Sequence, residues 1–239
     1  MCATKTRVRK IGAVGPDSRA GAHGHKLAAG EVPNRRQLAS ARRRKAILDA
    51  GLEVFAERGF AAARLDDVAL KAGVGKGTIY LFFDDKEHLF EQIVREAVAP
   101  LLELLSGIAA QGDEPAAVVF ERIFRAFESE IIKTRRSEIV RLVLAEGARF
   151  PALAEFYHRE VISKALVVLQ QIARQAYARG ELSADTYARF PHLVVAPLLI
   201  ALLWDGLFSK FEKLDFDGLI AAHLSNLVRG EATRKRRKP

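Results

Sequence analysis

The sequence predicts an all-α fold, in which a small N-terminal helix-turn-helix domain of three helices is followed by a larger helical-bundle domain. Apolar residues recur at helical spacing along most of the chain, and no stretch shows the strict alternation typical of a β-strand. Pro and Gly interrupt the periodic segments at positions that suit helix ends. Two short amphipathic segments also flank a Gly-containing turn between positions 64 and 86.

Residues 1–38 are predicted to form a basic arm without regular structure, because Gly, Pro, Ala and basic residues follow one another there without periodicity. Ser40 is the expected N-cap of the first helix, whose apolar face begins at Ile47 and which Gly59 is expected to end. The basic run 42–45 would crowd the first turn, where the helix dipole disfavours cations. A nearby phosphate backbone would account for it, and a continuation of the basic arm is the alternative.

The next two helices form the predicted helix-turn-helix. The apolar face of the first begins at Leu65 and ends at Ala72, after which Gly73 suits a helix C-terminus. Ile79 and Phe83 are four residues apart, so they mark the buried face of a second short helix. In this architecture the second helix enters the DNA major groove. A helical hairpin in an ordinary bundle core is the structural alternative.

The predicted helix-turn-helix domain spans residues 39–86, the bundle spans 87–230, and a basic tail occupies 231–239. A long helix opens the bundle, and Pro100 is expected to kink or break it. The most apolar run, residues 193–204, is too short to span a bilayer, so no membrane association is expected.

Charge is concentrated at the two ends of the chain. The 239 residues contain 38 Lys and Arg against 29 Asp and Glu, a formal net charge of +9. Residues 1–45 hold 12 basic and 2 acidic side chains, and residues 229–239 hold 6 and 1. Basic ends on a mildly acidic body suit a polyanion such as DNA. Solvated tails without a fixed partner are the alternative.

The sequence predicts a cytoplasmic protein without metal or cofactor. One Cys, at position 2, excludes a disulfide framework and a Cys-rich metal site. No secretory signal is visible, although the Arg-rich and acid-poor start would also fit an organellar transit peptide. We find no Gly-rich nucleotide loop, no His pair at metal-ligand spacing and no nucleophile motif, so an enzyme is disfavoured.

One long motif runs from Ile47 to Phe90 and covers roughly a quarter of the chain. It comprises the run 72–80, then Phe83, Asp85-Lys86-Glu87 and Leu89-Phe90, and upstream Ile47, Ala50, Phe55, Gly59 and Phe60. This motif closely resembles the DNA-binding domain of TetR-type transcriptional regulators. The segment 143–151, with Phe156-Tyr157, looks like the C-terminal domain of one branch of that family.

The resemblance implies a sequence-specific DNA-binding transcriptional regulator, a repressor released by a small-molecule effector that is not identified. It also implies a homodimer, formed through the last two helices, on the double-stranded DNA of a palindromic operator. A non-specific DNA-coating protein that acts through the basic ends is the alternative. Such a protein would need only the tails, whereas a specific regulator needs the helix-turn-helix.

The resemblance places five residues at the family's DNA-facing positions: Lys76, Gly77, Thr78, Tyr80 and Lys86. Tyr80 and Lys86 would contact phosphates, Thr78 would contact a base edge, and Gly77 would let the backbone approach the duplex. Leu81 occupies a position that varies between regulators and often reads bases. Further expected DNA contacts come from the basic residues Arg42, Arg43, Arg44, Lys45 and Arg64.

Two positions depart from the family pattern. Arg64 stands where Thr or Ser commonly caps the first helix of the motif, and Gly75 replaces a common Ser. Both changes remove a side-chain oxygen, so weaker helix caps are expected.

The effector pocket is expected among aromatic residues of the bundle, for each of which core packing is the alternative. These residues are Phe120, Phe124, Phe127, Phe156, Tyr157 and Trp204.

Overall fold

The computed structural model describes residues 34–111 and 114–228. The predicted basic tail and the arm up to residue 33 lie outside these ranges. Within them the chain is helical, with one isolated antiparallel bridge between Leu182 and Val228 and no strand, so the predicted all-α fold is confirmed.

Eleven α-helices lie within the described ranges. They are α1 Arg35–Ala62, α2 Leu65–Lys71, α3 Lys76–Ile79, α4 Lys86–Gln111, α5 Ala116–Phe127, α6 Ser137–Glu146, α7 Pro151–Tyr157, α8 Ser163–Ala178, α9 Thr186–Arg189, α10 His192–Leu207 and α11 Phe216–Leu227. Two π-helical turns, Glu128–Ile132 and His158–Ile162, follow α5 and α7 directly. None of the described helices is both long and apolar enough to cross a membrane.

The first helix begins earlier than predicted. Asn34 is its N-cap: the Asn34 side chain accepts the N–H of Gln37 at 2.9 Å, and the Gln37 side chain accepts the N–H of Asn34 at 2.7 Å. This capping box satisfies two helix-end donors, so the start predicted at Ser40 is wrong and residues 35–38 are helical rather than part of an arm. The basic run 42–45 therefore lies beyond the first turn, where the dipole argument no longer applies.

At Gly59, where the helix was predicted to end, α1 changes direction. The φ of Gly59 is +72°, which interrupts helical geometry, and a further short helical stretch follows to Ala62. By contrast, α4 continues past Pro100 without a break. Pro100 lies on an exposed face, where the carbonyl that loses its helical donor can be hydrated.

The described residues pack around two apolar clusters. The first joins α1, α2 and α3 to the N-terminal half of α4 and to α6 and α7, with Phe55, Phe60 and Phe90 at its centre. The second joins the C-terminal half of α4 to α5, α8, α10 and α11. Consequently α4 contributes to both cores, while α6 packs against α1 and α7 packs against α4.

Candidate nucleic-acid interface

The helix-turn-helix is anchored by one buried face. Ile79 and Phe83 are 0% and 1% exposed, so both are buried as predicted. The predicted second helix is shorter than expected, because α3 ends at Ile79 and Phe83 lies beyond it. Val68 on α2 packs in the same cluster. Gly73 ends α2 with a φ of +66°, a conformation that a side chain would strain. The turn and the anchored face fix the orientation of α3 relative to α2.

The surface formed by α3 and the two residues that follow it, Tyr80 and Leu81, is open to solvent. Leu81 is 82% exposed and Tyr80 is 48% exposed, whereas Thr78 is half-buried. A Cβ added at Gly77 would meet no atom within 4 Å, so nothing in the described residues blocks this surface. Tyr80 and Leu81 thus project from a rigid anchor, as residues that contact DNA must.

Both helix starts of the motif lack a side-chain cap, as the departures from the family pattern predicted. Arg64 is the N-cap of α2 and Gly75 is that of α3, and neither makes a side-chain capping hydrogen bond. The Arg64 side chain is exposed and can reach a partner outside the protein.

The structure separates the four residues of the basic run. Arg42 and Arg43 line a concavity of about 590 Å³ against the turn 72–75 and Thr78. Arg44 instead donates to Glu96 and Gln92 on α4 at 3.2 and 3.1 Å, and Lys45 pairs with Asp49 at 3.1 Å. Of the four, only Arg42 and Arg43 therefore adjoin the motif, and the expectation that all four contact phosphates is not supported.

An acidic residue that the sequence analysis did not single out lies beside α3. Asp66, in the first turn of α2, accepts a hydrogen bond from Nζ of Lys76 at 2.7 Å. This hydrogen bond raises the pKa of Lys76. The pair holds the ammonium at the edge of the exposed surface, where two of its three N–H donors are not engaged by Asp66.

Lys86 occupies a different position from the one expected for a phosphate contact. Its Nζ donates to the carbonyl oxygens of Phe60 and Ala61 at 2.8 and 3.1 Å and lies 4.8 Å from the centre of the Phe60 ring. This ammonium therefore binds the end of α1. Helical periodicity could not predict this contact, because the contact depends on the change of direction at Gly59.

The six aromatic residues predicted to line one effector pocket lie in three different surroundings. Phe120 and Phe124 are fully buried in the second cluster, against which Phe127 packs. Phe156 and Tyr157 belong to the first cluster, where burial raises the pKa of Tyr157 to about 12. Trp204 borders a groove near the end of α10. The prediction of a single pocket is wrong, because helical periodicity identifies an inward face but not the cluster that it joins.

Comparison with known proteins identifies the class of this chain. The family of bacterial regulatory proteins called tetR matches residues 47–93, and the tetracyclin repressor-like C-terminal domain matches residues 120–209. The uncharacterized HTH-type transcriptional regulator YhgD of Bacillus subtilis is 31% identical over 187 residues, which cover 76% of this chain and 94% of that protein. The repressor BepR of Brucella suis is 29% identical over 69% of this chain and 78% of that protein.

Solved structures agree on the fold. The complex of SmeT with triclosan superposes with a TM-score of 0.64 at 22% identity, covering 79% of this chain and 93% of the other. SmeT is the repressor of a multidrug efflux pump of Stenotrophomonas maltophilia.

The chain belongs to the TetR family and is a sequence-specific DNA-binding transcriptional regulator, which confirms the interpretation of the helix-turn-helix. TetR-family repressors bind operator DNA as homodimers and respond to small-molecule effectors, so the predicted partners are those of the family. The DNA-coating alternative is not favoured, and the family consists of regulators rather than enzymes.

Proposed function

We propose that this chain is a cytoplasmic, non-enzymatic repressor that inserts α3 into the major groove of each half of a palindromic operator. The exposed surface of α3 and of Tyr80 and Leu81 directly after it is the observation that carries the proposal. Leu81 and Thr78 would contact base edges, and Tyr80 would donate its hydroxyl to a phosphate. Leu81 is the most easily tested part of this assignment. Its apolar side chain is 82% exposed, so burial within the protein contributes little free energy at this position.

Phosphate contacts would come from the concavity formed by α1 and the turn of the motif. Arg42 and Arg43 border it, and Arg64 is exposed nearby at the start of α2. These cations would fix the register of α3 without reading sequence. Lys76 and Lys86 would join them through the N–H donors that Asp66 and the end of α1 do not engage.

The second protomer would pack on α10 and α11. Leu199, Ile200, Leu203 and Leu207 are exposed along α10, and together they form an apolar surface that is unusual on a monomer. A symmetric dimer buries the same surface on both subunits and sets two reading helices at a fixed separation. That separation would match half-sites one turn of DNA or a multiple apart.

Selection of bound DNA from a random pool, with the full chain, tests this function. We expect enrichment of an inverted repeat, because each protomer reads one half-site. The double variant Thr78→Ala/Leu81→Ala should enrich a different or less defined sequence while retaining salt-sensitive affinity. Recovery of unrelated sequences by the native chain, with affinity that depends only on salt, would instead support non-specific coating.

A further inference from the structure

A groove beside Trp204 has the composition of a small-molecule site. This Trp204 groove has a volume of about 460 Å³, which is within the usual range for ligand pockets. It lies between the π-turn 128–132, the C-terminal part of α10 and the chain that leads into α11. Its apolar lining comprises Ile132, Ala201, Trp204, Leu214 and Phe216. Leu199, Leu203 and Leu207, proposed for the dimer, lie outside this lining.

The charges of the groove favour an anion. Its two carboxylates are already neutralised: Glu128 accepts from Lys133 at 2.8 Å and from Arg125 at 3.2 Å, and Asp205 accepts from Arg141 at 2.8 Å. Lys213, at the rim, has no ion-pair partner among the described residues. An ammonium beside an apolar wall matches a carboxylate attached to an apolar body.

The indole of Trp204 is held in place. Its Nε1 donates to the carbonyl of Glu212 at 2.9 Å, and its ring lies 5.3 Å from that of Phe208. The hydrogen bond ties α10 to the segment that carries Lys213, so the apolar wall and the cationic rim keep their relative positions. A site that is formed before binding loses less free energy on ordering.

The segment 128–136 connects the groove to the DNA-binding helices. Ile132 and Lys133 line the groove, and the following residues line a second cavity, of about 530 Å³, on the side of α1. There Arg135 pairs with Glu53 of α1, and Glu53 also pairs with Lys71 of α2 at 3.0 Å. The helical part of the segment is a π-turn, a geometry that is frequent at functional sites. Two ion pairs, through Arg135 and Glu53, thus join this segment to α2.

We propose that the Trp204 groove is the effector site and that its ligand is an amphipathic organic anion, with the carboxylate on Lys213 and the apolar body against Trp204. The bound ligand displaces the segment 128–136, weakens the pair between Arg135 and Glu53 and lowers affinity for the operator. The predicted loss of operator affinity rests on the proposed function, whereas the predicted binding of the ligand in the Trp204 groove does not depend on it.

Binding is tested through the fluorescence of Trp204, the only tryptophan of the chain. Titration with decanoate below micelle-forming concentrations should change the emission, whereas decylamine, the cation of equal chain length, should not. Lys213→Glu should weaken decanoate binding about tenfold, since it replaces a charge-assisted contact by repulsion. Lys210→Glu makes the same charge change at an exposed lysine outside the groove lining and should leave the affinity unchanged.

Coupling is tested by measuring operator affinity with and without saturating decanoate. The native chain should release the operator, and Arg135→Gln should still bind decanoate but respond less. Three outcomes would overturn the inference: unchanged Trp204 emission, equal binding of decylamine, or decanoate binding that leaves operator affinity unaltered. A chain that binds decanoate but no DNA sequence specifically would contradict the proposed function instead, so the two failures are distinguishable.

Discussion

Lys86 and Glu146 bind the backbone of the same two residues, Phe60 and Ala61, at the end of α1. Lys86 donates to the carbonyls of Phe60 and Ala61, while the Glu146 carboxylate accepts their N–H groups at 2.6 and 3.2 Å. The change of direction at Gly59 leaves these backbone N–H and C=O groups without full helical partners. Charged side chains from α4 and α6 therefore fasten the end of α1 to the rest of the protein through charge-assisted hydrogen bonds.

Glu146→Ala should lower the free energy of unfolding by about 2 kcal/mol, because two N–H donors lose their acceptor, one of them partly buried. Urea unfolding followed by circular dichroism measures the change. Glu155→Ala, at an exposed carboxylate on α7, is the control and should be nearly neutral. Equal effects of the two substitutions would show that the Glu146 contacts contribute little.

Gly59→Ala should destabilise more than Gly73→Ala, although both residues have positive φ. At Gly73 a new Cβ meets no atom within 4 Å, so only backbone strain of about 1–2 kcal/mol is expected. At Gly59 the Cβ would collide with the Glu146 carboxylate and displace it. The additional loss of stability in Gly59→Ala should disappear when Glu146 is also replaced by Ala, which a double-mutant cycle measures. If the additional loss persists in the double variant, this explanation is contradicted.

Leu81→Ala should reduce operator discrimination by about 1–3 kcal/mol while hardly changing stability, since the side chain is exposed. Leu70→Ala is a matched control, because Leu70 is 83% exposed on α2. Tyr80→Phe should weaken all operator variants by a similar factor, as loss of a phosphate contact does. Affinities for a set of mutated operators decide between these effects. Unchanged preference in Leu81→Ala would transfer base reading to Thr78 and its neighbours.

Leu199→Glu should convert the homodimer to a monomer and weaken operator binding, since Leu199 is exposed on the apolar face of α10. Light scattering gives the mass. Val167→Glu, at an exposed valine on α8, makes a similar change outside that face and should leave a dimer. Leu224 on α11 is a poorer target, because it packs against the second cluster and its substitution would also disturb the core. A dimeric Leu199→Glu variant would place the interface elsewhere.

Acidification should weaken the fold through His223. Burial lowers the pKa of His223, and its buried Nε2 has no hydrogen-bond partner among the described residues. The unfolded chain then binds the proton more tightly, so the contribution of His223 falls as pH decreases from its ordinary pKa of 6.5 toward the lowered value. His223→Gln should reduce this dependence in urea unfolding above and below pH 6.5, whereas His192→Gln, at an exposed histidine, should not.

Periodicity predicted the motif well because it reports which side of a helix is apolar. It identified Ile79 and Phe83, both of which are buried. The cap at Asn34 was also encoded, since Gln37 follows three residues later, but the surrounding composition favoured an arm. The capping hydrogen bonds of Asn34 and Gln37 thus determine where α1 begins, whereas the composition of the surrounding residues led to a predicted start that is too late.

Partners distant in sequence could not be predicted in this way. The contact of Lys86 with the end of α1 requires the turn at Gly59, and Glu146 reaches that turn from 85 residues further along the chain. The division of the six aromatic residues among three surroundings likewise depends on helix packing. Periodicity identifies the apolar face of one helix, whereas a site is formed by residues from several helices.

The helix α4 fixes the rotational phase between the two cores. Phe90 packs in the first cluster and Leu105 in the second, on one uninterrupted helix. One inserted residue between them would turn one core about 100° relative to the other. A chimera that joins this DNA-binding region to the regulatory half of a relative must therefore preserve the number of residues between these two positions. Otherwise the helix-turn-helix of each protomer will be rotated away from its half-site.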